Sequence, residues 1–125
     1  MTQVRTSPYS ISVEEGVDDS EPYYAIKIGH AVFELNVYVE RTELPLFSRV
    51  PAADWDQRGS VRIGRSAGAL AFWSTKGDTV SILVGRDDET WDFAVGIPMQ
   101  SFVEIMRELG QVSGQKVGPD DFKGG

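Results

Sequence analysis

The sequence predicts an α+β fold: an antiparallel meander sheet of about six to seven strands with one C-terminal helix packed on one face. Three observations predict it. Apolar and polar residues alternate with period two over most of the chain from Tyr9 to Ile97, the mark of half-buried strands. Most of the alternating runs are separated by short turn-forming stretches, which suit antiparallel neighbours. Helical periodicity begins only after Pro98.

The elements follow in order. Tyr9, Ile11 and Val13 alternate with Ser10, Ser12 and Glu14. Gly16 to Pro22 is rich in turn formers and reads as a turn or short loop. Tyr24, Ile26 and Ile28 form the next apolar face, and Gly29-His30 reads as a turn or bulge. Phe33, Leu35, Val37 and Val39 against Glu34, Asn36, Tyr38 and Glu40 make the clearest strand of the chain. From Thr42 to Arg58 the alternation stops. These 17 residues contain Pro45 and Pro51, and they read as a long loop with a helical turn near Ala52 to Gln57.

Alternation returns at Val61 and Ile63. In that strand Arg62 and Arg65 fall on opposite faces. Leu70 and Phe72 then alternate with Ala69, Ala71 and Trp73, which puts Trp73 beside the alanines. Thr75-Lys76-Gly77-Asp78 is a tight hairpin in which Gly77 supplies a positive φ. Val80, Ile82 and Val84 follow, then an acidic turn from Arg86 to Thr90. Trp91, Phe93, Val95 and Ile97 form the last apolar face.

Pro98 suits the first turn of a helix. Met99, Phe102, Val103, Met106 and Leu109 make a stripe at helical spacing, and Gly110 stands where a C-terminal cap is expected. The domain is therefore expected to occupy residues 1–112. Residues 113–125, with four glycines and a proline, are expected to form a flexible tail.

Composition excludes several chemistries. The chain has 125 residues, 41% hydrophobic and 25% charged, which suits one globular domain rather than a disordered segment. Its formal net charge of −7 argues against a nucleic-acid surface and against an anionic membrane surface. It has no cysteine and one histidine, so thiol chemistry and multi-histidine metal sites are excluded, and no cofactor is expected. No apolar run is long enough to span a membrane and no secretory leader is visible, so a cytoplasmic location is expected.

Few residues are left to carry function. His30 has no accompanying nucleophile motif. Asp87, Asp88 and Glu89, with Asp92 nearby, gather acids at a hairpin tip without the spacing of a calcium loop. Gly64-Arg65-Ser66-Ala67-Gly68 leads toward a strand and not a helix, so it is a poor phosphate loop. Trp55 lies in the long loop between Asp54 and Asp56, as an interface anchor flanked by acids would. The closing Gly124-Gly125 pair echoes ubiquitin-like modifiers, but a helix that follows the sheet does not suit that fold. The strand-rich region from Val61 to Leu109 resembles, in size and style, small bacterial accessory proteins such as toxin-neutralising immunity proteins; no residue role carries over.

The expected function is a non-enzymatic protein-binding module, an inhibitor or immunity protein for a basic partner, with Asp54, Trp55, Asp56, Asp87, Asp88 and Glu89 as binding residues. Two alternatives stand beside it. One is a small-ligand-binding protein or enzyme that uses His30 with a carboxylate, and it requires a pocket among Tyr9, Tyr23, Tyr24 or Tyr38. The other is a structural subunit of a homodimer or larger homo-oligomer, joined through a small-residue face of Gly64, Ala69, Ala71, Ala94 and Gly96.

Overall fold

The computed structural model describes residues 9–118. Seven strands, β1 (Ser10–Asp18), β2 (Glu21–His30), β3 (Phe33–Glu40), β4 (Val61–Ser66), β5 (Ala69–Lys76), β6 (Thr79–Gly85) and β7 (Trp91–Pro98), pair antiparallel in sequence order. One helix, α1 (Met99–Ser113), follows them. The expected meander and its covering helix are therefore both present.

The inner face of the sheet is apolar because each strand contributes every second residue. Tyr24, Ile26 and Ile28 of β2, Leu35, Val37 and Val39 of β3, and Val80, Ile82 and Val84 of β6 are all buried in one cluster. Two elements cover that face. The first is α1, which packs on β1 at one edge and on β6 and β7 at the other. The Tyr9 hydroxyl donates to the Gly96 carbonyl at 3.0 Å, so the two edges of the sheet approach each other. The second cover is the segment expected to be a loop. It is a run of 3₁₀ turns from Arg41 to Ala52 with Pro45 and Pro51 inside it. Leu44, Phe47 and Val50 recur every third residue, the 3₁₀ period, and all three are fully buried.

Phe47, Trp73 and Phe102 join the layers. Their ring centres lie 5.2 Å (Phe47–Trp73), 5.9 Å (Trp73–Phe102) and 6.2 Å (Phe47–Phe102) apart. The Trp73 indole N–H donates to the Ile63 carbonyl at 3.0 Å, so its one polar atom is satisfied inside the core.

Six details differ from the sequence reading. Ala71 and Trp73 face the core, while Phe72, paired with Leu83, is buried on the outer face; both faces of β5 are apolar, so alternation could not choose between them. The turn between β1 and β2 is confined to Asp19-Ser20, and His30 ends β2 instead of forming a turn. The helix passes through Gly110 and stops at Gly114, which takes φ +73° and donates its N–H to the Gly110 carbonyl. Ile105, absent from the expected stripe, is fully buried with Phe102, Met106 and Leu109. Arg62 and Arg65 share one face, because the register shifts between them: Arg62 pairs with Phe72 and Arg65 with Leu70, two outward positions of β5. Gly64 makes that bulge with φ +79° and a backbone so close to β3 that a Cβ would lie 2.7 Å from the Tyr38 carbonyl oxygen.

Past the helix, Val117 is half-buried against the core. Residues 119–125 of the expected tail, Gly124-Gly125 among them, lie outside the described residues.

Candidate functional site

The segment that carries Trp55 is built by β5. Where β4 has not yet begun, Ala53 and Asp54 run alongside β5: the Thr75 N–H donates to the Ala53 carbonyl at 2.8 Å, and Asp54 bridges to Thr75. The Ser74 hydroxyl lies within hydrogen-bond reach of the Ala53 and Gly59 carbonyls. The chain then makes one 3₁₀ turn, Trp55–Gln57. The Asp54 carboxylate accepts from the Asp56 N–H at 3.0 Å at its start, and Arg58 closes it in the left-handed conformation at φ +60°. This is the helical turn expected near Ala52 to Gln57, shifted toward its C-terminal half.

The hairpin tip between β6 and β7 is held by Asp87. One oxygen of its carboxylate accepts from the Glu89 N–H at 2.8 Å, the Thr90 N–H at 2.7 Å and the Thr90 hydroxyl at 2.7 Å. These donors, the Thr90 hydroxyl foremost, hold the Asp87 carboxyl below its ordinary value of 3.8. Asp87 is thus chiefly a turn-forming residue.

The structure brings these two segments together. The Ser60 hydroxyl donates to the Asp88 carboxylate at 2.8 Å, and the Arg58 guanidinium reaches the Asp88 carbonyl at 3.4 Å. Trp55 meets Trp91 edge to face with 5.8 Å between ring centres, and Arg58 lies over the Trp55 ring at 4.2 Å. Trp91, expected in the core, is instead 37% exposed, and Phe93 is exposed as well. The cause is a second register shift: Val84 pairs with Phe93 but Gly85 pairs with Trp91, which skips a residue and turns Trp91 to the outer face.

Of the six expected binding residues, Asp54, Asp56, Asp87 and Glu89 are exposed, while Trp55 and Asp88 are half-buried. Asp56 forms an ion pair with Lys76 at 3.2 Å, with both side chains about two-thirds exposed. The two segments, with Lys76 and Asp92 at their borders, carry six acids (Asp54, Asp56, Asp87, Asp88, Glu89, Asp92) and three cations (Arg58, Lys76, Arg86). Arg58 was not among the expected site residues. Its proximity to a loop tryptophan was the signal available.

His30 sits elsewhere. Its ring stacks on Phe33 at 5.3 Å and leans on Tyr9 at 5.1 Å, and its Nδ1 is buried without a hydrogen-bond partner among the described residues. A cleft of about 900 Å³ does include Tyr23 and Tyr38, but it lies at the opposite end of β2, about 20 Å along the strand, and His30 does not line it. The small residues do not form one face either: Ala69 and Ala71 pack inward, whereas Ala94 and Gly96 are exposed on the outer side. Among the described residues no three acids or histidines gather as a metal site requires, and no helix is long and apolar enough to cross a membrane.

Comparison of the chain with family models, curated proteins and solved structures finds no match.

Proposed function

We propose that this protein is a small non-enzymatic binding module of the cytoplasm. It captures a basic protein partner through the acidic tryptophan platform formed by residues 54–60 and 86–92, and neutralises that partner as an inhibitor or immunity protein does. One observation carries the reading: two acidic segments distant in sequence converge on a single Trp55–Trp91 pair. Half-exposed tryptophan surrounded by charge has the composition of an interface hot spot, and surrounding carboxylates steer a cationic partner toward it.

The residues divide the work. Asp54, Asp56 and Glu89 stand in solvent and offer carboxylates to lysine or arginine of the partner. The Asp56–Lys76 pair is exposed, so a partner cation replaces Lys76 at little cost. Asp87 and Asp88 fix the shape of the tip and add to its field.

The test is retention of a partner. Immobilised protein is offered host extract beside a Trp55→Ala column. A basic protein held by the first column, released by salt and absent from the second, supports the reading. Equal recovery on both columns, or recovery of no basic protein, counts against it.

A further inference from the structure

We propose that the cleft on the outer face of β2, β3 and β4 binds a flat ring carrying a phosphate, the tyrosines receiving the ring and Arg62 with Arg65 the phosphate. This site is separate from the tryptophan platform and does not rest on it.

The bulge at Gly64 creates the cationic end. It places Arg62 and Arg65 at neighbouring outward positions, and both line the cleft. Neither guanidinium makes a hydrogen bond or ion pair with another described residue. Both side chains are exposed on the same face, so their positive charges add at this end of the cleft. One guanidinium fills one carboxylate with a two-point fork; two forks suit a phosphate, with its extra oxygens and second charge.

The aromatic wall is equally defined. Tyr38 lies directly across the sheet from Arg65 and is 47% exposed. Tyr23 meets Tyr38 edge to face at 6.2 Å. Its own ring lies over Gly16, in the space that any side chain at that position would fill. Tyr23 is thus seated against the β1 backbone, and Tyr38 leans on it from β3.

The acids of the cleft set the ligand's direction. Glu43 spends one oxygen on the Glu40 N–H at 2.9 Å and the other on the Gly64 N–H at 3.0 Å, and Glu40 completes the same cap. The Arg41 guanidinium is engaged by the Tyr24 hydroxyl at 2.9 Å. Asp19 and Glu21 line the hairpin end of the cleft. The phosphate belongs at the β4 end, where Arg62 and Arg65 outweigh the single Glu43 carboxylate held on Gly64, and the ring lies toward Tyr38 and Tyr23. A cleft of about 900 Å³ holds a molecule of nucleotide size.

Amide NMR titration tests the site, with adenosine monophosphate, phenyl phosphate, adenosine and inorganic phosphate as separate probes. Saturable shifts at Tyr38, Gly64 and Arg65 are expected with at least one of the two ring phosphates. The tighter of the two identifies the source as nucleotide or aryl phosphate. Arg62→Ala with Arg65→Ala should weaken that binding about tenfold or more. Tyr38→Ala should abolish the advantage of the ring phosphate over inorganic phosphate. Both changes fall on exposed side chains, and unchanged melting would show that the fold is kept. The proposal is overturned by an absence of saturable shifts from either ring phosphate up to about 10 mM. Binding unchanged by the double arginine replacement, or inorganic phosphate binding as tightly as the ring phosphates, would overturn it as well.

Discussion

Trp55 and Trp91 meet with their ring planes at 73° and their centres 5.8 Å apart, although one belongs to a 3₁₀ turn and the other to the start of the last strand. This contact, with the Ser60–Asp88 hydrogen bond beside it, turns two acidic segments into one surface. It also holds Trp55 in place, so that a partner meets an anchor whose rotamer is already restricted. Preorganisation of that kind reduces the ordering cost of binding.

The core is expected to depend on Phe102. This side chain is fully buried and touches both Phe47 and Trp73. Phe102→Ala should destabilise the protein by about 3–5 kcal/mol, through lost burial and a residual cavity. Urea unfolding measures it, and a midpoint equal to that of the parent would remove α1 from the core.

Gly64 should tolerate no side chain. At φ +79° with the Tyr38 carbonyl oxygen 2.7 Å from a notional Cβ, Gly64→Ala combines backbone strain with a clash against main chain. The expected cost is roughly 2 kcal/mol or more. Gly77→Ala is the control: its φ is also positive, at +60°, but no atom lies near the new methyl group. Thermal melts of the two variants should separate strain alone from strain with a clash.

Asp87 carries a pH signature. Its folded pKa lies below 3.8, so its contribution to stability is full above that value and is lost as pH falls through the lowered folded value. The Thr90 hydroxyl is the largest cause. Titration of the Asp87 carboxyl by NMR should give a midpoint under 3.8 in the parent, and Thr90→Val should raise it. An unmoved midpoint would show that the Thr90 hydroxyl does not hold the tip.

Much of the fold was legible in the sequence because β2 and β3 each set an aliphatic face against a mostly polar one, and β6 does so except at Leu83. β5 was not, since Leu70 and Phe72 alternate with Ala71 and Trp73 and both faces are buried. The positions of Arg62, Arg65 and Trp91 depended on register shifts that period-two counting cannot detect. Gly64 inside a strand pattern was the available warning for the first of them. The 3₁₀ run reads as a loop in the sequence, although the Leu44, Phe47, Val50 spacing and the Glu40-Glu43 pair at its start were the available signs of it. For the candidate site, the acids and Trp55 could be picked out one segment at a time. Their convergence could not, because it rests on contacts such as Ser60 with Asp88 between segments far apart in the chain.

Binding kinetics on a captured basic partner test the central claim most directly, with Trp55→Ala compared against Asp54→Asn/Asp56→Asn and against Glu89→Gln. The tryptophan change should act mainly on dissociation and cost about 2 kcal/mol or more. The charge changes should mainly slow association and flatten its dependence on salt. Unchanged rates in all three variants would contradict the account and place the partner's contact elsewhere on the molecule.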